Sequence, residues 1–155
     1  MDHAMHQHHA APSLNRLAWS ATLHCLTGCA IGEVLGMVIG TALGWGNAAT
    51  IALAVVLAFF FGYLLTLLPL VKAVGLASGL KLALAADTAS ITIMEIVDNA
   101  IMLVIPGAMD AGLDSLLFWA SLAFALAVAA VAAFPVNRWL IKRGRGHAVV
   151  HAHHH

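Results

Sequence analysis

Apolar residues run along this chain in four long blocks, at about 17–44, 48–71, 82–105 and 116–140. Polar or turn-forming breaks separate them at Gly44-Trp45-Gly46-Asn47, from Lys72 through Lys81, and from Pro106-Gly107 through Ser115. Each block exceeds the roughly 18–20 residues that a helix needs to span hydrocarbon. Open strands are excluded at that depth because their unpaired backbone groups would find no water. The pattern predicts an all-α, polytopic membrane protein, a four-transmembrane-helix up-down bundle with short loops. Pro69 and Pro135 fall in the last turns of helices 2 and 4, where a kink is tolerable. The expected organisation is a His-rich tail at 1–15, a membrane domain at 16–143 and a second His-rich tail at 144–155.

Composition strengthens this reading. The chain of 155 residues is 62% hydrophobic and 9% charged, against about 25% charged in an ordinary soluble domain. Its mean hydropathy is +0.94. Seven Lys/Arg balance seven Asp/Glu, which argues against nucleic acid as a partner and leaves the lipid bilayer as the expected one. In the four-span arrangement Arg16, Lys72, Lys81, Arg138, Lys142, Arg143 and Arg145 all fall at one end, and Asp110 and Asp114 at the other. The positive-inside rule then puts both termini in the cytoplasm, with the chain in the inner (plasma) membrane. The tryptophans agree, with Trp19 and Trp139 at the inner interface and Trp45 and Trp119 at the outer one. Trp119 and Trp139 are 20 positions apart, about 30 Å at the helical rise. No basic region precedes a short apolar core, so no removable signal is expected.

Helix 1 carries two rows at a spacing of four. Gly28, Gly32, Gly36, Gly40 and Gly44 form a ridge of small residues, where another helix backbone can approach closely. The partner could be a helix of this chain or of a second copy, so Gly28, Gly32, Gly36 and Gly40 are candidates for a homodimer face. One position further on, Cys25, Cys29, Glu33, Met37 and Thr41 share another face. His24 lies beside Cys25. Buried Cys is ordinarily a small hydrophobe. Two thiols, an imidazole and a carboxylate within ten residues of one membrane helix suggest a site instead.

Helix 3 carries Asp87, Ser90, Met94, Glu95, Asp98 and Met102 at three-and-four spacing, hence on one broad face. No Lys or Arg lies in the interior of any span to pair with the acids. An acid near the bilayer centre costs about 2.5–3.5 kcal/mol, so four would cost roughly 10–14 if charged and uncompensated. That rivals a whole folding stability of about 5–15 kcal/mol. Glu33, Asp87, Glu95 and Asp98 must therefore be protonated, hydrated or bound to a cation. Matching depths from the cytoplasmic ends places Cys25 near Asp87, Glu33 near Glu95, and Met37 near Asp98 and Asn99. Helices 2 and 4 show few interior polar groups and read as lipid-facing support.

The tails carry His3, His6, His8 and His9 at one end and His147, His151, His153, His154 and His155 at the other. Short His-rich tracts suggest metal binding on composition alone. Met1-Asp2-His3, with a free amine, has the donor spacing of a square-planar Cu(II) or Ni(II) site. Solvated tails without a ligand are the plain alternative.

His24-Cys25-Leu26-Thr27-Gly28-Cys29, Met94-Glu95-x-x-Asp98-Asn99, Pro106-Gly107-Ala108-Met109 and Pro135-Val136-Asn137-Arg138-Trp139 resemble the bacterial four-helix membrane family called domain of unknown function 4396. The resemblance covers about 17–155 and implies the four-helix architecture. It implies no substrate. The residues themselves favour a non-enzymatic protein that binds, and transports or handles, a transition-metal ion. The expected intramembrane ligands are His24, Cys25, Cys29, Glu33, Asp87, Met94, Glu95, Asp98 and Met102, with His3, His6, His8, His9, His147 and His151 gathering metal at the tails. Thiolate, thioether and imidazole favour copper or zinc. The alternatives are a membrane thiol–quinone oxidoreductase using Cys25 and Cys29, a haem-binding module using His24, and a proton-coupled carrier of a small organic cation.

Overall fold

The structure, a computed structural model, describes residues 13–143. The His-rich tails, with His3, His6, His8, His9, His147 and His151, lie outside the described residues. Four helices follow one another: α1 (Leu14–Ala42), α2 (Asn47–Val74), α3 (Leu76–Val104) and α4 (Leu116–Lys142). Each is packed against its neighbours in sequence, α1 closes the ring against α4, and α1 also touches α3 across the bundle. The up-down bundle expected from the hydrophobic blocks is the one formed.

Local chemistry sets the ends. Ser13 caps α1 by accepting from the Arg16 amide, and Ser115 caps α4 by accepting from Leu117. Gly44, at φ +66°, ends the first helical stretch in a conformation that side chains disfavour. The ten-residue break expected from Lys72 through Lys81 is absent. A single residue, Gly75 at φ +81°, caps both α2 and α3. The lysines sit in helical turns that continue past the apolar blocks, so charge marked the end of an apolar block rather than the end of a helix.

Three helices, α1, α2 and α4, are long and apolar enough to cross a membrane. The fourth, α3, matches α1 in length at 29 residues but carries Lys81, Asp87, Glu95 and Asp98. Its acids are turned inward: Asp87, Ser90, Glu95 and Asp98 are all buried, while Leu84, Ile96, Leu103 and Val104 are exposed. Val56, Phe60, Leu68, Phe124 and Val131 extend that apolar exterior over α2 and α4. An apolar outside around a polar inside is the distribution that a lipid solvent selects.

The glycine ridge packs on α2 of the same chain. A Cβ at Gly28 would lie 2.6 Å from the Gly62 Cα, and one at Gly36 would lie 2.5 Å from the Ala54 Cα. At Gly32 it would strike the Ala58 backbone, and at Gly40 the Thr50 side chain. The ridge thus meets a matching row on α2, Thr50, Ala54, Ala58 and Gly62, also four apart. Gly44 stands outside it, with nothing within 4 Å of an added Cβ. Far from being mere support, α2 supplies the counter-surface for the closest helix contact in the bundle.

Candidate functional site

Close α1–α2 packing leaves the next row of α1 facing α3, and the two helices bring three polar clusters onto the bundle axis. The innermost lies near the end that carries the basic residues. There Cys25 Sγ donates to Asp87 Oδ1 at 3.7 Å, with both residues buried. Around this pair, Asn137 of α4 donates its amide to Thr22 Oγ1 and to Ser90 Oγ, each at 2.9 Å. Thr22 in turn donates to the Ala18 carbonyl at 2.8 Å. One amide therefore joins α1, α3 and α4. His24 stands half-buried next to Cys25.

The middle cluster is thinner. Cys29 lies beside Glu95. Cys25, Cys29, Ile91 and Met94 pack with Ala58, Ala129 and Ala133 into one apolar core. Met94 is wholly buried there. Asn99 donates to the Glu95 carbonyl at 2.9 Å and to its Oε2 at 3.4 Å. Among the described residues, apart from the neighbouring Cys29 thiol, no donor approaches Glu95 Oε1.

The outer cluster is built on Glu33 and Asp98. Their carboxyl groups are close enough to interact directly. They are 4% and 2% exposed, and among the described residues no donor other than the facing acid reaches Glu33 Oε2 or either carboxylate oxygen of Asp98. Two carboxylates side by side in a low dielectric repel each other unless a proton or a cation lies between them. Both line a small cavity of about 20 Å³ together with Met37, Met102, Met109 and Phe118. That volume suits one water-sized occupant.

The depth matching therefore holds for Cys25 with Asp87, and for Met37 with Asp98 and Asn99. The nine expected ligands are distributed over three levels rather than gathered at one point. Among the described residues, no three His, Cys, Asp or Glu side chains converge to hold a metal ion. Cys25 and Cys29 are free thiols, each 1% exposed, so a quinone or a partner thiol has no path to them in this conformation. The polar roles of Thr22 and Asn137 escaped the reading of the sequence. Asn137 follows Pro135 so closely that it suggests a fraying end, yet α4 continues to Lys142 and buries it.

The comparisons with known proteins come to one positive finding. A family model described as Domain of unknown function (DUF4396) matches residues 15–146. No curated protein and no solved structure matches.

Proposed function

The chain belongs to this domain-of-unknown-function family, and we propose that it is an integral membrane protein that binds a soft monovalent cation, Cu(I), between Glu33 and Asp98 and hands it across the bundle. The observation that carries this reading is the outer cavity. Two buried acids that face each other, with Glu33 Oε2 and both Asp98 oxygens reached by no other donor among the described residues, sit beside three methionines in a space of one small occupant. Thioethers select Cu(I) over harder ions, and the carboxylates neutralise its charge. The acids also give a binding event something to exchange, since a metal ligand must shed its proton before it binds. Inward from the cavity, Cys29 with Glu95 and then Cys25 with Asp87 offer further soft and acidic groups along the axis. The basic ends of the helices, with both termini among them, face the cytoplasm of a plasma membrane on this reading.

The test is a Cu(I) titration of the full chain in detergent against a chromophoric chelator, with the tail histidines replaced by alanine. The expected result is one Cu(I) per chain, proton release on binding, and at least tenfold weaker affinity in Asp98→Asn and in Met102→Leu. Leucine nearly conserves methionine's volume, so the second change removes the sulfur with little loss of packing. No copper on the wild type, or equal affinity in folded Glu33→Gln, Asp98→Asn and Met102→Leu, overturns the reading.

A further inference from the structure

The outer cavity has one wall that is not helix. All four helices contribute to its lining, and Met109 of the segment 105–115 completes it. The α1–α2 seam offers no entrance, because Gly36 and Gly40 lie against Ala54 and Thr50 there. The segment 105–115 is built differently. After α3 ends, the Pro106-Gly107 turn, with Gly107 at φ +77°, brings the chain back over the bundle end. Ala108 is then fully buried in the cluster of Met102 and Phe118, Met109 packs against that cluster, and Asp110 is exposed. The segment is fastened unevenly. On the α4 side the Trp119 indole donates to the Leu113 carbonyl at 2.8 Å, and the Ser115 amide donates to the Gly112 carbonyl at 2.9 Å. On the opposite side, among the described residues, a single side-chain bond crosses to α2: Asn47 Nδ2 donates to Asp110 Oδ1 at 3.3 Å, in the open. That bond lies over the cavity, since Asp110 follows the lining Met109 and Asn47 stands one turn before the lining Ile51.

We propose that the segment 105–115 is a lid over the outer cavity, latched by Asn47 and Asp110, which swings on its α4 side to admit the cation and on closing returns Met109 to it. The identity of the occupant rests on the Cu(I) reading, and the lid itself does not. An exposed hydrogen bond at the long end of the usual range is a weak fastening. The buried surface that opening gives up is small, one alanine and part of one methionine. Local opening follows the segment with the fewest buried contacts, so the latch edge lifts while the four helices stay packed. Lifting uncovers Glu33, Asp98 and Met102 from the end that carries Asp110 and Asp114, whose charges draw a cation toward it. A charged occupant then reaches the acids from water, with no passage through hydrocarbon. Because Met109 travels with the lid, the site gains one of its three thioethers only when the lid is shut.

The experiment reads access to the cavity without copper. Met102, which is 4% exposed, is replaced by cysteine in the full chain in phosphatidylcholine nanodiscs. The rate of its modification by an anionic, membrane-impermeant methanethiosulfonate is measured, with the rate of the same chain retaining Met102 subtracted. Asn47→Asp sets two carboxylates across the latch and should raise the rate about fivefold or more, although added negative charge alone would slow an anionic reagent. Adding Asp110→Asn exchanges donor and acceptor, restores the bond and should return the rate to its starting value. Asn137→Leu, which removes hydrogen bonds at the inner end of the bundle, should leave the rate unchanged. Folding of each variant is checked by its unfolding midpoint in sodium dodecyl sulfate. An unchanged rate in folded Asn47→Asp, no recovery in the double exchange, or equal acceleration by Asn137→Leu overturns the proposal. A latch-dependent rate in a chain that takes up no copper supports the lid and fails the Cu(I) reading alone.

Discussion

Asn137 donates two hydrogen bonds, to Thr22 and to Ser90, inside a bundle whose remaining core is largely alanine. Within hydrocarbon such bonds tie helices that have no hydrophobic drive to associate, each contributing about 0.6–2 kcal/mol. Asn137→Leu keeps a similar bulk and removes both. The expected loss is about 1–3 kcal/mol of unfolding free energy, read from a titration with sodium dodecyl sulfate. An unchanged midpoint would mean that water or neighbouring groups satisfy Thr22 and Ser90 equally well. The same residue marks a limit of what could be read in the sequence. Acids at three-and-four spacing on α3 announced a polar interior, because no lysine or arginine could answer them. A lone asparagine after a proline carried no such pattern, and only the continuation of α4 past Pro135 buries it.

Among the elements, the α1–α2 pair is distinguished by how near the two backbones come. The spacing of the glycines was legible at once, and its partner was not. The complementary row on α2 mixes threonine, alanine and glycine, so no single residue type repeats there. Its period emerges only beside the ridge it fits. The contact has a sharp consequence for substitutions. At Gly32 an added methyl would run into the Ala58 backbone, which has no flexible end to move aside. At Gly46, with an ordinary φ of −72°, nothing lies within 4 Å. Gly32→Ala should cost about 1–3 kcal/mol as overpacking, whereas Gly46→Ala should change stability by less than about 0.5 kcal/mol. Parallel unfolding titrations check the pair. Equal midpoints would mean that the helices can separate without loss.

For the whole molecule, the four helices place Arg16, Lys72, Lys81, Arg138, Lys142 and Arg143 at one end and Asp110 and Asp114 at the other. The two ends are further fastened, by Arg138 donating to Asn15 at 2.8 Å and by Asn47 donating to Asp110 at 3.3 Å. Ser78 and Asp114 are exposed, one near each end. A membrane-impermeant maleimide should label Ser78→Cys only from the cytoplasmic side and Asp114→Cys only from the opposite side. Labelling of both from one face would refute the proposed orientation. The native thiols supply the background control, since both are buried and should react only after denaturation.

The one-residue junction between α2 and α3 leaves no slack in the chain. Because Gly75 closes one helix and opens the next, any added residue there has nowhere to loop out. An insertion would turn α3 by about 100° relative to α2, one residue's share of a helical turn. Asp87, Ser90, Glu95 and Asp98 would then swing from the bundle axis toward lipid together, as a set. The stretch at 105–115, between α3 and α4, can absorb the same extra residue without rotating either helix. Between α2 and α4, extra length is therefore accommodated at the acidic end, and the facing of the buried acids is kept by a single glycine.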